Sequence, residues 1–318
     1  MATTVKLENI RYWVTAIGGD VGASIARNIR DKAPMAFILG TDLKPYVQGR
    51  DAVDEVIVIK RADSKDYLKE VLEIIDAKQI NCIIPAHDSE ISFFANKRDL
   101  FEEKGVKVLV HSKEFLDICQ SKYKTANWLK EIGISTPTTC YYGELDIDIS
   151  YPAIVKPDRG CGSHGIFTVN SKDELVRYNL ESDMVIQDKV GTDEEEYTLA
   201  IYYSGREYNY LCYRRTLGFG GMSVFVETIS FDWLDKMVSD LCQVNKFIGC
   251  INVQFRIENN KYYIFEINPR ISSTARFRHM MKFEDVIWWV CDIFGIKYEF
   301  SKIEDGLIGV KTTGEIIY

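Results

Sequence analysis

The first 110 residues alternate short apolar segments with segments of helical periodicity. The apolar segments are 12–17, 36–39, 56–59, 82–85 and 106–110, and the helical ones are 23–30, 67–77 and 88–103. Strands that alternate with helices of this size favour a parallel, doubly wound sheet, which binds ligands at the carboxyl ends of its strands. We therefore predict that the chain begins with an α/β domain.

A glycine cluster after the first strand permits a nucleotide-binding interpretation. A dinucleotide fingerprint has the pattern G-x-G-x-x-G, but Ile17 occupies its first position, so only Gly19 and Gly22 are in register. Asp42 ends the second strand about 20 residues further on, as the acidic residue of that fingerprint does. The alternative is a tight turn with an ordinary capping Asp, and NAD binding is kept as a third hypothesis.

From residue 151 the pattern changes to β-rich segments with antiparallel character. The predicted strands are 153–156, 165–169, 184–187, 197–203, 207–213, 223–229, 250–257 and 262–267, with helices at 173–178 and 233–247. The sequence Glu-Asn-Asn-Lys at 258–261 is typical of a hairpin turn. Before this part, Ser112 or Ser121 caps helical segments that end at Gly133. The second half is therefore predicted to be α+β.

Charge and cysteine usage exclude several classes of protein. The net charge of −8 and the pI near 5.2 argue against nucleic acid as the main partner, because phosphate backbones need a basic surface. No apolar run approaches the roughly 20 residues that span a bilayer. The eight cysteines are scattered without a CxxC pair, which favours reduced thiols over disulfides or a zinc site. We expect a cytoplasmic globular protein without a membrane partner.

One strand leads directly into a glycine-rich loop. Lys156 ends the strand, and the loop contains Gly160, Gly162, Ser163 and Gly165. Glycines let backbone N–H groups approach phosphate oxygens, the serine adds a hydroxyl donor, and the lysine neutralises phosphate charge. The alternative is a hairpin with flexible glycines and a solvated lysine.

Two segments near the end of the β-rich part place polar side chains on one strand face. Because side chains alternate along a strand, Asn252, Gln254 and Arg256 share a face, and Glu266 shares a face with Asn268 opposite Phe265 and Ile267. If the two segments pair, amide and carboxylate oxygens of the kind that suit Mg²⁺ converge. Arg270, just past the second strand, can brace a transferred phosphoryl group. The alternative is an ordinary polar outer face.

The order of these motifs resembles the ATP-grasp enzymes, most closely the carbamoyl-phosphate-synthetase-like members, over nearly the whole chain. The resemblance implies a doubly wound domain over residues 1–112 and two α+β subdomains that clasp ATP. These subdomains are 113–187, with the central helix and the glycine loop, and 188–318, with the metal site.

The resemblance also implies a role for individual residues. Lys122 and Lys156 match the phosphate-binding bases, Gly160 to Gly165 match the loop that closes over the triphosphate, and Gln187, Asp188 and Glu196 match the nucleotide side, with Asp188 near the ribose. Gln254, Glu266 and Asn268 match the ligands of Mg²⁺ or Mn²⁺, and Arg270 matches the arginine at the transferred group.

The implied activity is an ATP-dependent ligase that activates a carboxylate as an acyl phosphate for an amine or another nucleophile. Many relatives have an acid where this chain has Gln254, so a non-catalytic ATP-binding sensor or partner subunit is an alternative. A carboxyphosphate or carbamate kinase is another, although the chain has one ATP-binding unit where the large carbamoyl-phosphate synthetase subunit has two.

The substrate side carries fewer signals. Arg214 and Arg215 precede a glycine-rich segment and Arg276 follows the metal segment, so each is a candidate for binding an anionic substrate, while surface arginines are more often simply solvated. Glu90 is at the expected ligand edge of the first sheet, although helix capping by Asp88 or Ser89 explains most of that segment. We expect small-molecule carboxylate and amine substrates and a possible homodimer.

Overall fold

The computed structural model describes residues 5–143, 148–160, 165–178, 181–218, 223–312, 314 and 316. Within this part of the chain, three sheets and ten helices are seen. The strands are β1 Tyr12–Val14, β2 Ile38–Asp42, β3 Glu55–Val58, β4 Cys82–Ile84, β5 Lys107–Val108, β6 Thr139–Tyr141, β7 Ala153–Pro157, β8 Phe167–Val169, β9 Met184–Asp188, β10 Glu196–Tyr203, β11 Tyr208–Leu217, β12 Ser223–Thr228, β13 Gly249–Glu258, β14 Lys261–Asn268 and β15 Ile308–Val310. The helices are α1 Asp20–Lys32, α2 Tyr67–Lys78, α3 Asp88–Asn96, α4 Arg98–Glu103, α5 Lys113–Gln120, α6 Lys122–Glu131, α7 Lys172–Arg177, α8 Leu234–Gln243, α9 Ala275–Met280 and α10 Asp285–Phe294.

The first sheet is parallel and has the strand order β3-β2-β1-β4-β5. Strands β1 and β4 are apolar throughout, as expected of parallel strands that are buried on both faces. Tyr12 and Val14 of β1 belong to one hydrophobic cluster, and Trp13 between them belongs to another on the opposite face. From β1 the chain adds β2 and β3 on one side and then β4 and β5 on the other side. This reversal of the strand order places a crevice at the carboxyl end of β1. The predicted α/β class of this part is confirmed.

One strand and one helix of this part of the chain differ in length from their predictions. The apolar run 12–17 gives a strand of only three residues, because Ala16 adopts a left-handed conformation with φ of 49° at the start of the turn into α1. The predicted helix 88–103 is two helices, α3 and α4, since Lys97 leaves the helical region with φ of −125° and ψ of 19°. The two prolonged sequence patterns contained no glycine or proline that marks these breaks.

The second and third sheets form the α+β part. The order β6-β9-β7-β8 describes an antiparallel sheet, and β14-β13-β10-β11-β12-β15 describes the larger antiparallel sheet. One face of the larger sheet packs in a core with α5, α6 and α8, and the other face packs against α1, α9 and α10. The three sheets fall within residues 12–108, 139–188 and 196–310. The domain boundaries at 112 and 187 stay a proposal, and the second lies next to the end of β9.

The hairpin turn between β13 and β14 has the predicted position. Glu258 pairs with Lys261, and the two residues between them, Asn259 and Asn260, have φ of 51° and 60°. Two consecutive left-handed residues define a type I′ turn, which matches the twist of the flanking strands, and Asn tolerates this conformation. The turn therefore sets the pairing of the strands that carry the predicted metal ligands.

Helix α10 is the most apolar helix of the C-terminal part and contributes Trp288 and Trp289, which are buried in the core. Among the described residues, no helix combines the length and the apolar character needed to cross a bilayer.

Candidate active site

A cavity of about 670 Å³ lies between the second and third sheets, against the beginning of α1. It brings together most of the residues predicted from the sequence. Those that line it are Lys122, Lys156, Gly160, Gln187, Asp188, Glu196, Arg215, Gln254, Glu266, Asn268 and Arg270. They come from a helix, two sheets and their connections, so only the tertiary fold places them together.

The proposed metal ligands lie on adjacent positions of the β13–β14 hairpin. Gln254 is directly opposite Glu266, and Asn252 is directly opposite Asn268. Along β14, Asn268 Nδ2 donates a hydrogen bond of 2.8 Å to Glu266 Oε1, which orients the carboxylate. The arrangement presents one carboxylate and several amide groups to the cavity.

A β-bulge makes this arrangement possible. Near the turn, Arg256 pairs with Tyr263, and the register then shifts between Gln254 and Phe255, so that one residue of β14, Phe265, has no partner. The extra residue reverses the alternation of side chains, as bulges near functional sites do. Glu266 thereby faces the same side as Gln254.

The bulge corrects one expectation about Phe265. Strict alternation predicted that Phe265 would lie opposite Glu266, but both residues line the cavity. The Phe265 ring lies 5.8 Å from Lys156 Nζ and 5.6 Å from the Arg256 guanidinium carbon. An aromatic face beside two cations gives the cavity an apolar wall that tolerates their charge.

Lys156 is the most deeply placed cation in the cavity. Only 4% of the residue is exposed, and its Nζ donates a hydrogen bond of 2.7 Å to Gln187 Oε1. Burial is the main reason that the pKa of Lys156 falls from 10.5 to about 8; the charge of Glu266 opposes this change, and the charge of Lys122 adds to it. Since none of the described carboxylates forms an ion pair with it, this desolvated lysine is suited to bind an anion that enters the cavity.

Lys122 begins α6 and approaches the glycine loop. Its Nζ donates to the backbone oxygens of Asp158, at 3.2 Å, and Gly160, at 3.3 Å. Ser121 caps the helix by accepting from the backbone N–H of Lys124, and its hydroxyl donates to Asp158 Oδ1 at 2.9 Å. The predicted cap at Ser121 is present, and it fixes the lysine at the cavity wall.

The residues predicted on the nucleotide side have defined partners. Asp188 Oδ1 accepts from the backbone N–H of Ser150 at 2.7 Å. Glu196 forms an ion pair of 2.9 Å with Arg256, a cavity residue to which the sequence analysis gave no role. The alternation of side chains along β13 places Arg256 on the same face as Gln254, so the sequence pattern could have indicated that Arg256 belongs to the site.

The glycine loop is described only at its ends. Gly160 lines the cavity and has a φ of 136°, and Gly165 has a φ of 71° and does not line it. Both conformations favour glycine. Gly162 and Ser163 lie outside the described residues.

Arg270 leaves the end of β14 and reaches the first domain. Its Nε donates to Asp88 Oδ1 at 2.7 Å, and Asp88 is the first residue of α3. The sequence predicts Asp88 or Ser89 as the cap of that helix. The structure shows a different cap, because His87 is the N-cap residue and its ring accepts from the backbone N–H of Ser89.

Of the three arginines predicted to bind substrate, only Arg215 lines the cavity. Among the described residues, no acceptor contacts its side chain, and its Nε is buried without a partner. Arg214 is exposed and donates to Tyr197 Oη, while Arg276 forms an ion pair of 2.5 Å with Asp31 of α1. The structure does not bring Arg214 and Arg276 to the cavity, because strand alternation turns the first away and the contact between α9 and α1 engages the second.

The two acidic residues considered in the first domain have structural partners. Asp42 accepts from the backbone N–H of Gly18 at 2.8 Å, which matches the tight-turn alternative. Glu90 is buried and accepts from Thr15 Oγ1 and Tyr67 Oη. Burial raises the pKa of Glu90, against the effect of these two hydrogen bonds.

The donor set of the hairpin fits a magnesium ion that also binds phosphates. In the described part of the chain, no group of three or more His, Cys, Asp or Glu side chains forms an all-protein metal site. Mg²⁺ beside a nucleotide needs only one or two protein carboxylates, with phosphate and water oxygens completing the octahedron. Glu266 supplies a carboxylate, and Asn252 Oδ1 is buried in the same wall with no hydrogen-bond partner among the described residues.

Comparison with known proteins identifies the class to which this fold and site belong. Residues 119–274 match the model of the ATP-grasp domain, and residues 20–109 match that of the PylC-like N-terminal domain. The chain therefore contains an ATP-grasp domain that follows a PylC-like N-terminal domain. This family consists of ATP-dependent carboxylate–amine ligases that use Mg²⁺ and produce ADP.

Two relatives with known names are similar to this chain over part of its length. The carbamoyl phosphate synthase large chain of Thermotoga neapolitana is 25% identical over 233 residues, and that of Clostridium acetobutylicum is 26% identical over 233 residues. Each alignment covers 66% of this chain but only 21% of the relative, so the chain spans about a fifth of the length of these relatives.

Solved structures share the fold. The biotin carboxylase domain of Hydrogenobacter thermophilus 2-oxoglutarate carboxylase, a dimer in complex with MgADP, ADP and bicarbonate, superposes with a TM-score of 0.74 at 14% identity over 94% of this chain and 73% of that one. N5-carboxyaminoimidazole synthetase from Staphylococcus aureus, complexed with ADP, gives a TM-score of 0.72 at 17% identity over 97% and 81%. These similarities confirm the predicted fold class.

Proposed function

We propose that this chain is an ATP-dependent ligase that activates a carboxylate as an acyl phosphate and transfers the acyl group to an amine or another nucleophile. The observation that carries the proposal is that Lys122 and Lys156 line the same cavity as Gln254, Glu266 and Asn268. Cations for a triphosphate and oxygen ligands for its metal thus share one site.

Each part of the site has a proposed role in ATP binding. Lys122, Lys156 and the backbone of Gly160 bind the phosphates, and Gln187 holds the Lys156 ammonium in place. Asp188 lies near the ribose, and Glu196 lies on the nucleotide side of the site. Gln254, Glu266 and Asn268 hold Mg²⁺ or Mn²⁺, which when bound neutralises charge on the β- and γ-phosphates.

The reaction proceeds in two balanced steps. A carboxylate oxygen of the substrate attacks the γ-phosphorus, the bond from that phosphorus to the bridging oxygen breaks, and ADP leaves. Arg270 stabilises the charge that develops on the transferred group. The nucleophile nitrogen then bonds to the acyl carbon, phosphate leaves with the electron pair of the broken C–O bond, and the nitrogen loses a proton.

The first experiment measures ADP release with Mg·ATP across pools of amino acids and small carboxylates, each with and without amines, and with bicarbonate plus ammonia. We expect one pool to stimulate release, and Glu266→Ala and Lys156→Ala to abolish the stimulation. Arg214→Gln is the matched control, since Arg214 points away from the cavity. Release of AMP and pyrophosphate would contradict the acyl-phosphate scheme, and stimulation by bicarbonate and ammonia alone would instead favour a carboxyphosphate or carbamate kinase.

A second candidate is an ATP-binding sensor or partner subunit without turnover. It is favoured by Gln254, because a neutral amide opposite Glu266 leaves the metal ligands of the hairpin with one negative charge. Binding of ATP that depends on Lys156, with no stimulated ADP release from any pool, would support this candidate.

A further inference from the structure

Arg270 lies in the wall between the ATP cavity and a second cavity of about 210 Å³. Helices α3 and α5, which precede the glycine loop in the sequence, bound the second cavity. Ile91 and Leu116 are among its apolar residues. Glu266 and Asn268 also belong to both walls. A guanidinium in this wall contacts both spaces, so its orientation determines which groups it can reach.

The contact with Asp88 determines that orientation. Arginine carries five N–H donors in one plane, and fixing its Nε fixes the direction of the others. Nε donates to Asp88 Oδ1 at 2.7 Å, and Nη1 has only a long contact of 3.4 Å to the backbone oxygen of Ile271. No acceptor for Nη2 is found among the residues that the structure describes.

Asp88 is not needed to cap α3, although it is the first residue of that helix. The first residues of a helix often serve as caps, but His87 caps α3 through its ring nitrogen. The Arg270 and Asp88 side chains are 22% and 44% exposed, and ion pairs at such exposure contribute little to folding stability. The pair nevertheless joins residues 182 positions apart in the chain.

We infer that Asp88 is a positioning residue that holds the Arg270 guanidinium against the group undergoing phosphoryl transfer. The inference rests on the proposed function. Asp88 accepts from Nε, and the Nη donors are left to the equatorial oxygens of the transferred group, over which the charge of the transition state is spread. The first domain thereby supplies part of the geometry of the ATP site.

The test compares a transition-state analogue with a ground-state ligand, so it needs no knowledge of the substrate. The affinities of Mg·ADP and of Mg·ADP with fluoroaluminate are measured by calorimetry. In Asp88→Asn we expect the fluoroaluminate complex to weaken about tenfold or more, as on loss of other groups that orient a functional side chain, while Mg·ADP binding changes less than about twofold. Asp88→Glu is expected to restore part of the loss. Glu102→Gln, which breaks an exposed ion pair in the same domain, is the control.

A double-mutant comparison separates positioning from a general charge effect. Arg270→Lys should weaken the analogue complex, and adding Asp88→Asn should cause little further loss, because both changes remove the same interaction. Equal weakening of Mg·ADP and of the analogue, additive losses, or no effect of Asp88→Asn would each overturn the inference. If fluoroaluminate fails to tighten Mg·ADP binding in the unaltered protein, the proposed phosphoryl transfer fails, and the positioning role fails with it.

Discussion

Lys156 should make ATP affinity and folding stability respond to pH in opposite directions. The perturbation is Lys156→Met, which keeps the length of the buried side chain and removes its charge. The pKa of Lys156 is lowered from 10.5 to about 8, mainly by burial. Only the charged lysine attracts a triphosphate, so ATP affinity of the unaltered protein should fall about tenfold between pH 7 and pH 9, as the charged fraction falls from about nine-tenths to about one-tenth.

Stability follows the opposite course in the protein without ATP. Below pH 8 the lysine is charged in both the folded and the unfolded state, and the folded state bears the full cost of burying the charge. Between pH 8 and 10.5 the unfolded state binds more protons, so the free energy of unfolding rises with pH. The difference between 10.5 and about 8 corresponds to about 3 kcal/mol.

The assay compares the two proteins rather than one protein at two pH values, which cancels other titrating groups. Loss of the hydrogen bond to Gln187 costs about 1 kcal/mol, so Lys156→Met should be more stable by about 2 kcal/mol near pH 7 in urea unfolding. That advantage should shrink as the pH approaches 10, and the ATP affinity of the variant should not fall between pH 7 and 9. A stability difference that is constant with pH would refute the reasoning.

Four other changes test separate parts of the structure. Glu266→Gln should weaken Mg²⁺-dependent ATP binding by about 10-fold or more while leaving urea unfolding nearly unchanged, and equal binding by both proteins would remove Glu266 from the metal site. Asp285→Ala should lower the free energy of unfolding by about 3–5 kcal/mol, because it removes the carboxylate 2.6 Å from the buried Arg278 and leaves that charge unpaired. The double change Arg278→Met with Asp285→Leu should lower the free energy of unfolding by less, and an equal loss would contradict the account. Asn260→Gly should raise the free energy of unfolding by up to about 1 kcal/mol because the residue has a φ of 60°, whereas Asn260→Ala should lower it. Arg215→Gln should raise the KM for the carboxylate substrate identified by ADP release by about 10-fold or more with little change in ATP affinity, and an effect equal to that of Arg214→Gln would exclude the role.

Local patterns in the sequence predicted most of the elements. The apolar segments of the parallel sheet, the alternation in β13 and the two-asparagine turn depend on neighbouring residues only, and each was found close to its predicted place. Lys156 on its strand and the polar face that contains Gln254 were also recognised, because both follow from neighbouring residues.

Features that depend on distant residues were not predictable. No signal near Asp88 or Arg270 shows that they meet, since 182 residues separate them. Arg276 could not be distinguished from a substrate ligand until its partner Asp31 on α1 was seen. The change in alternation at Phe265 was missed because it arises from pairing between strands, which a periodic pattern within one strand does not contain.

The bulge at Phe265 gives β14 a phase that depends on strand pairing rather than residue type. If Phe265 were paired instead, the alternation set at the turn would place it opposite Gln254, and Glu266 and Asn268 would point into the hydrophobic core that now holds Ile264 and Ile267. Replacing Phe265 with another residue keeps the count and therefore the phase. Deleting Phe265 would also leave Glu266 opposite Gln254, because it removes only the unpaired residue. The phase of the proposed metal ligands thus depends on the bulge and not on which side chain stands at position 265.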